Sequence, residues 1–168
     1  MSQYYLLRAF DKFCKLHDLS YTLDFGTILG AVRHEGFIPW DDDIDVSMIR
    51  SEYNKFLKLS EKWEHKNIFV QNYHTDPQFA HSFTRLRLND SLAMQDDWKN
   101  LKAHQGIFID VFTYDAIAGD EAACQIHADE IRMIQEEKMR YVLSNTVDYD
   151  NLLVLNRLQT NVMTRFND

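Results

Sequence analysis

The sequence predicts an α+β fold, in which strands and helices mix up to about residue 120 and helices alone follow. Short alternating or apolar segments typical of strands recur in the first part, and two long segments with helical spacing fill the second. The length of 168 residues suits one domain, and 45% hydrophobic with 13% aromatic residues suffice for a packed core. We therefore expect a single domain over 1–168 whose helical part begins near residue 120.

The helices are predicted where apolar residues recur every three or four positions. They cover Gln3–Leu16, Thr27–His34, Ser51–Glu64, Asp120–Leu143 and Asp148–Arg165. The strands are predicted from β-prone or alternating segments bounded by turn residues. They cover Tyr21–Phe25, Phe37–Met48, Ile68–Tyr73, Ser82–Leu88, Ser91–Gln95 and Ile107–Phe112. Both faces of the last strand are mostly apolar, so we expect it near the centre of the sheet.

Charge and composition exclude several classes of protein. The net charge of −8 disfavours a nucleic-acid binder, which usually carries a basic surface. Cys14 and Cys124 show no zinc-binding spacing. No secretory signal opens the chain, and no apolar run approaches the ~18 residues of a membrane span. We expect a cytoplasmic protein without a transmembrane segment, and peripheral contact with a membrane stays open.

Aspartates alternate along the segment Pro39–Val46, which has the sequence PWDDDIDV. In a β-strand Asp41, Asp43 and Asp45 would share one face, with Asp42 on the other. Carboxylates that close repel one another unless a cation compensates, and Mg²⁺ prefers their oxygens. The alternatives are a solvated acidic turn and a calcium-binding loop, but the loop would need glycine where Val46 stands. We expect a metal site for phosphate chemistry.

A glycine–threonine pair precedes this segment. Gly26 and Thr27 lie between a predicted strand and a predicted helix, where backbone N–H groups can approach a phosphate. Thr27 can cap the helix and donate a hydrogen bond, and Arg33 lies on the same helix. We expect Gly26, Thr27 and Arg33 to bind phosphate next to the metal.

Asp110 interrupts an otherwise apolar strand. A carboxylate there is costly unless it is paired or bound to a metal. One explanation is a structural ion pair with Arg85 or Arg87, and the other is a third carboxylate of the site, as a metal ligand or a general base. We favour the second, and consider phosphate binding by Arg85 and Arg87 about as plausible as a solvated strand face.

The run from Tyr21 to Val46, YTLDFGTILGAVRHEGFIPWDDDIDV, resembles the signature of the LicD family of phosphocholine and related phospho-alcohol transferases, whose relatives include fukutin-like proteins. Phe108–Phe112 is similar to the family's later acidic strand. The resemblance implies a nucleotidyltransferase-like mixed β-sheet flanked by helices. It also assigns Gly26 and Thr27 to the family's turn, Asp43 and Asp45 to its acidic pair, and Asp110 to its third carboxylate.

The resemblance further implies a reaction. A phospho-alcohol such as phosphocholine would pass from a CDP-activated donor to a sugar hydroxyl of a glycan, such as lipopolysaccharide or teichoic acid, with Mg²⁺ or Mn²⁺. Asp43, Asp45 and Asp110 would be catalytic and hold the metal, with Asp41 as an additional ligand. Asp110 could instead accept the acceptor's proton.

Two other functions compete with phospho-alcohol transfer. A nucleotidyltransferase would move NMP to a small molecule or protein, and a non-catalytic remnant would only bind nucleotide or metal. Family members are generally longer than this chain, which ends at Asp168 in a predicted helical segment. We therefore expect a shortened C-terminal part that affects acceptor binding more than the metal site.

Overall fold

The structure is a computed structural model that describes residues 2–99, 101–144 and 148–167. Its contacts divide the chain into two compact units. The first comprises Met1–Val70, Phe83–Ala93 and Gln105–Tyr114; the second comprises Gln71–Ser82, Met94–His104 and Asp115–Asp168.

Five helices and five strands follow one another within the described residues, and their mixture confirms the predicted α+β class. The helices are α1 (Ser2–Leu16), α2 (Phe25–His34), α3 (Arg50–Ser60), α4 (Glu121–Leu143) and α5 (Tyr149–Met163). The strands are β1 (Thr22–Leu23), β2 (Asp45–Ile49), β3 (Ile68–Gln71), β4 (Thr84–Leu88) and β5 (Phe108–Tyr114). A short 3₁₀ helix covers Asp96–Trp98.

The strands form one mixed sheet in the order β1-β2-β5-β4-β3. β5 runs parallel to β2 and antiparallel to β4. The predicted central position of this strand is confirmed. Its apolar residues on both faces suit a strand that is covered on two sides.

The two faces of the sheet differ in chemistry because successive side chains alternate. One face contributes Val46, Leu86, Ile109 and Val111 to a core that also contains residues of α1 and α3, such as Phe10 and Phe56. Phe10 and Phe56 pack edge to face, with 5.4 Å between ring centroids. The alternate positions of β2, β4 and β5 include Asp45, Arg85 and Asp110. This second face therefore carries several buried charged groups of the first unit.

The second unit is built largely from α4 and α5. Asp120 and Asp148 cap these helices through their side chains, as expected for N-cap aspartates. Lys138 of α4 is fully buried and donates a hydrogen bond to Gln159 Oε1 at 2.6 Å. Asn156 of α5 is also fully buried and donates from Nδ2 to the carbonyl of Phe79 at 3.0 Å. Polar residues thus occupy part of the interior of this unit.

Two strand predictions are wrong. The segment Phe37–Met48 is not one strand, because the Asp41 N–H bonds to the carbonyl of Ile38 at 3.0 Å in a turn, and β2 begins only at Asp45. The predicted strand Ser91–Gln95 is irregular backbone. There the Ser91 hydroxyl closes a turn by donating to the carbonyl of Leu88 at 2.7 Å and accepting from the N–H of Ile107 at 2.9 Å.

Candidate active site

A row of three charged residues crosses the middle of the sheet. Asp45 of β2 is the register partner of Asp110 in β5, and Asp110 is in turn the partner of Arg85 in β4. All three are at least nine-tenths buried. Side chains of register partners lie on the same face of a sheet, so two carboxylates and one guanidinium share one buried surface.

Arg85 and Asp110 form an ion pair with two contacts. Arg85 Nε lies 2.7 Å from Asp110 Oδ1, and Nη2 lies 3.3 Å from Oδ2. Burial raises the pKa of Asp110, whereas the charge and hydrogen bonds of Arg85 oppose this effect. The ion pair between Asp110 and an arginine, which the sequence left as one of two explanations, is therefore present. It orients the Asp110 carboxylate beside Asp45.

The aspartates before β2 reach this row through irregular backbone rather than strand alternation. Burial and the neighbouring charges of Asp41 and Asp42 raise the pKa of Asp43. Burial, followed by the charges of Asp43 and Asp110, raises the pKa of Asp45 to about 7. Asp42 is exposed, and its backbone carbonyl accepts a hydrogen bond from Gln3 of α1 at 2.5 Å. Asp41, Asp43, Asp45 and Asp110 thus interact electrostatically although they do not follow one strand.

The glycine–threonine turn lies directly on β2. The Asp45 N–H donates to Thr27 Oγ1 at 2.8 Å, and the Asp24 N–H donates to the Asp45 carbonyl at 3.0 Å. The expectation that Thr27 caps its helix is wrong, because α2 begins at Phe25 and Asp24 is its N-cap. A Cβ on Gly26 would lie 2.1 Å from Asp41 Oδ2, so a side chain at this position would displace the Asp41 carboxylate.

Asp24 is the residue of this site that the sequence reasoning missed. Its carboxylate accepts hydrogen bonds from the Phe25 N–H at 2.8 Å, from the Ser47 hydroxyl at 2.5 Å and from the Tyr114 hydroxyl. Burial raises its pKa, but the bonds from Ser47, Tyr114 and Phe25 outweigh that effect and lower it overall. Asp24 joins α2 to β2 and β5. An aspartate just before a helix is an N-cap signal, which could have identified it.

The predicted phosphate-binding arginines occupy different environments. Arg85 and Arg87 are buried, and their guanidinium groups lie over the Phe108 ring at 3.9 and 4.6 Å from its centroid. Arg87 also donates to the carbonyl of Gly106 at 2.6 Å. Arg33 is exposed on α2. Phosphate binding by these arginines stays a prediction, and only Arg33 is on the surface.

The donor chemistry of the aspartates fits a hard divalent cation. Asp45 is surrounded by other carboxylates whose charges disfavour its ionisation, and a cation would relieve that repulsion. Within residues 2–99, 101–144 and 148–167, no three acidic, histidine or cysteine side chains already form a compact metal cluster. The metal site thus stays a prediction that the charge distribution supports.

A Gly-Thr turn bound to a strand aspartate, with a second carboxylate on the adjacent strand, is the arrangement that the sequence resemblance implied for a nucleotidyltransferase-type domain. Residues 18–137 match the family described as LicD/FKTN/FKRP, nucleotidyltransferase domain. The chain belongs to this family. Asp24, Asp45, Asp110 and the Gly26–Thr27 turn all lie within the matched region.

Named relatives extend this comparison. The chain is 36% identical over 117 residues to the lipopolysaccharide cholinephosphotransferase LicD of Haemophilus influenzae, covering 68% of this chain and 42% of the relative. It is 31% identical over 77 residues to an uncharacterized protein of Rickettsia typhi, covering 42% of this chain and 25% of the relative. Mannosyltransferase regulator 4 of Saccharomyces cerevisiae is 26% identical over 137 residues, which is 80% of this chain and 11% of that protein.

The chain therefore spans less than half the length of these relatives. No solved structure matches it. Among the described residues, no helix combines the length and apolar character needed to cross a bilayer.

Proposed function

We propose that this chain carries the catalytic domain of a LicD-type phosphotransferase. It would transfer a phospho-alcohol, such as phosphocholine, from a CDP-activated donor to a sugar hydroxyl of a cell-surface glycopolymer. The observation that carries this proposal is the hydrogen bond from the Asp45 N–H to Thr27, which attaches the glycine–threonine turn to the strand that bears Asp45 and lies beside Asp110. The name of the Haemophilus relative supports the choline phosphate group and the lipopolysaccharide acceptor.

Mg²⁺ or Mn²⁺ would be held by Asp43, Asp45 and Asp110, with Asp41 as an additional ligand. When bound, the ion would neutralise phosphate oxygens and stabilise negative charge on the leaving CMP. The carboxylates supply the hard oxygen donors that such ions prefer. Arg85 supports this role because its two contacts keep the Asp110 carboxylate in one orientation.

The first turn of α2 would bind the phosphate that is not transferred. The N–H groups of the first turn of a helix have no intrahelical acceptor, and they attract anions. Gly26 and Thr27 occupy this turn, and Arg33 at the other end of the helix adds an exposed positive charge. Asp24 is a positioning residue, because its hydrogen bonds set the start of α2 against β2 and β5.

The reaction is a single displacement at phosphorus. The oxygen of the sugar hydroxyl forms a bond to the phosphorus of the phospho-alcohol, and the bond from that phosphorus to the CMP oxygen breaks. The proton of the hydroxyl passes to a carboxylate, and Asp110 is our candidate for this role as the alternative to its role as a metal ligand. A general base must lie within hydrogen-bond reach of the hydroxyl.

The test is an assay of the full chain with Mg²⁺, a glycan acceptor, and either CDP-choline or ATP. We expect CMP release and phosphocholine on the acceptor, measured by chromatography and mass spectrometry. Asp45→Asn should abolish both products, while the matched exposed change Asp42→Asn should leave them. NMP on the acceptor would instead favour the nucleotidyltransferase alternative. Selective ligand binding without turnover would favour the non-catalytic one.

A further inference from the structure

The exposed side of α1 carries a groove of about 650 Å³. Its lining is mostly basic and aromatic, and comprises Tyr4, Tyr5, Arg8, Ala9 and Lys12 of α1 and His65 of the segment between α3 and β3. No acidic side chain of the described residues lines it. A chain with a net charge of −8 therefore has a local concentration of positive charge on this helix.

The positive charges of the groove are not neutralised by neighbouring carboxylates. Arg8 and Lys12 are exposed on one side of α1, at a four-residue spacing that brings like charges together and costs helix stability. Within the described part of the chain, Arg8, Lys12 and His65 form no ion pair with an acidic residue. A bound anion would relieve the repulsion between the two cations.

His65 adds a third donor group to the lining. Its ring packs edge to face against Tyr5, with 6.0 Å between centroids, and against Trp63 at 5.8 Å. The Asn67 N–H donates to His65 Nδ1 at 3.4 Å, so a neutral His65 ring carries its hydrogen on Nε2. The groove therefore combines a guanidinium, an ammonium and an imidazole N–H.

These donors match a phosphate monoester. Such a group carries a charge of about −1.5 to −2 at neutral pH and has three strong acceptor oxygens. The arginine fork can bind two of those oxygens at once, and the lysine adds a second positive charge. The charge and donor set of the groove thus favour a phosphorylated ligand.

The aromatic residues favour a sugar as the carrier of the phosphate. Tyr4 and Tyr5 are 54% and 40% exposed, and tyrosine combines an apolar ring face with a hydroxyl group. A sugar ring has the matching combination of C–H groups on its face and hydroxyl groups around its edge. Inorganic phosphate would use the cations alone, whereas a groove of this volume lies in the range of small-ligand sites.

Tyr4 connects the groove to the candidate active site. It also lines a pocket that contains Gly26 and Thr27 of the glycine–threonine turn. Arg8 and Lys12 follow Tyr4 along α1, so the groove follows the helix for about 12 Å at 1.5 Å per residue. A glycan with one sugar at the active site can therefore place a neighbouring sugar in the groove.

We propose that this groove binds a phosphorylated sugar of the acceptor glycan, next to the sugar that is modified. The inference rests on the proposed function, in which a sugar hydroxyl is the acceptor. Arg8 and Lys12 bind the phosphate group, and Tyr4 and Tyr5 pack on the sugar ring. None of the carboxylates assigned to the metal lines the groove, so these residues determine acceptor choice rather than the chemistry at phosphorus.

The test measures binding to the full chain by calorimetry in EDTA and without a nucleotide donor. The probes are a mannose trisaccharide with one terminal phosphate monoester and the same trisaccharide after phosphatase treatment. The phosphorylated probe should bind about tenfold more tightly. Arg8→Gln and Lys12→Gln should each lower its affinity about two- to fivefold, and the double variant should nearly lose the preference.

Lys15→Gln is the matched control, because it removes the same charge from the same helix outside the groove. The Lys15 side chain is 76% exposed and pairs with Asp11 at 2.7 Å. This variant should keep the preference for the phosphorylated probe. Thermal unfolding of the Arg8 and Lys12 variants should give a Tm close to that of the wild type, because both side chains are exposed.

The outcomes separate this inference from the proposed function. Equal affinity for the two trisaccharides, or a preference that survives the double variant, would overturn the inference even if CMP is released in the activity assay. A phosphate preference that depends on Arg8 and Lys12, without CMP release from any donor, would support the groove assignment and refute the phosphotransferase activity.

Two further probes identify the carrier of the phosphate. Inorganic phosphate that binds as tightly as the phosphorylated trisaccharide would overturn the assignment to a sugar. Phosphatidylglycerol vesicles that bind the wild type but not the double variant, together with equal affinity for the two trisaccharides, would assign the groove to a lipid surface and overturn the inference. Weak binding of both probes relative to the phosphorylated trisaccharide is the expected result.

Discussion

Replacing Asp45 by asparagine should stabilise the metal-free protein while abolishing its activity. Asp45 is 8% exposed, and burial with the charges of Asp43 and Asp110 raises its pKa to about 7. The folded state therefore holds the Asp45 proton more tightly than the unfolded chain does. Wild-type stability should consequently fall as the pH rises from about 4 to about 7, and the full loss should be present above pH 7.

The size of the stability loss caused by ionised Asp45 follows from its pKa values in the folded and unfolded states. The difference between about 7 in the folded state and the ordinary 3.8 corresponds to about 4 kcal/mol. This value is an upper limit, because solvent screens part of the repulsion at the site. Asparagine keeps the backbone N–H that donates to Thr27 and removes the charge. For a chain of this size, 4 kcal/mol corresponds to a rise of about 8–16 °C in Tm.

The assay is thermal unfolding of wild type and Asp45→Asn at pH 5 and pH 8, with EDTA or with Mg²⁺. In EDTA the variant should be more stable at pH 8, and the difference should shrink at pH 5. Mg²⁺ should raise the Tm of the wild type, because a ligand that binds only the folded state stabilises it, and should have little effect on the variant. Asp42→Asn, at an exposed carboxylate of the same segment, should change stability by less than about 0.5 kcal/mol.

Two results would refute this reasoning. If Asp45→Asn were less stable than the wild type at pH 8 in EDTA, the carboxylate would have a structural role that outweighs the repulsion. If wild type and variant had the same dependence on pH, Asp45 would not titrate with a raised pKa. Either result would also weaken the case for a cation between Asp45 and Asp110.

Three further predictions concern other buried polar contacts. Burial lowers the pKa of Lys138 from 10.5 to about 7, so wild-type stability should increase as the pH rises from about 7 to about 10.5. Lys138→Met should therefore raise Tm more at pH 6 than at pH 9. A larger increase at pH 9 would contradict this prediction. Arg85→Leu should lower the free energy of unfolding, measured with urea, by about 3–5 kcal/mol, because Asp110 would stay buried without this partner. If the losses of the two single variants simply added up in Arg85→Leu/Asp110→Leu, an energetic coupling between Arg85 and Asp110 would be excluded. Thr27→Val should lower the free energy of unfolding by about 1–3 kcal/mol and reduce turnover, because the Asp45 N–H loses its acceptor. Thr27→Ser keeps the hydroxyl and should retain both stability and turnover.

The predicted helices agree with the structure better than the predicted strands. α1 and α4 each differ from their predicted bounds at one residue, because a periodic apolar face and an N-cap aspartate are local signals. β2 is shorter than the strand expected over Phe37–Met48. It pairs with β1 only at Val46 and Ser47, and the segment before Asp45 forms a turn instead. Strand length depends on partners that are distant in sequence, and a local pattern does not contain them.

Asp110 shows the same difference between what the local sequence predicts and what partners distant in sequence decide. Its position in an apolar strand indicated a paired or metal-bound carboxylate, and the sequence left both explanations open. The antiparallel register of β4 and β5 places Arg85 opposite it, and the parallel register of β2 and β5 places Asp45 on its other side. Register depends on connections and packing along the whole sheet, so these neighbours could not be derived from the strand alone.

The amino-acid pattern was sufficient for the family and the α+β class, and it predicted a set of acidic site residues, because glycine, aspartate and apolar spacing have local physical meanings. The folded arrangement decided which of those residues meet. It made Asp24 rather than Thr27 the cap of α2, used Thr27 to bind the Asp45 N–H, and moved Asp41 against Gly26. These contacts join positions up to about twenty residues apart, and only the packing of the intervening helix and turn brings their atoms within hydrogen-bond distance.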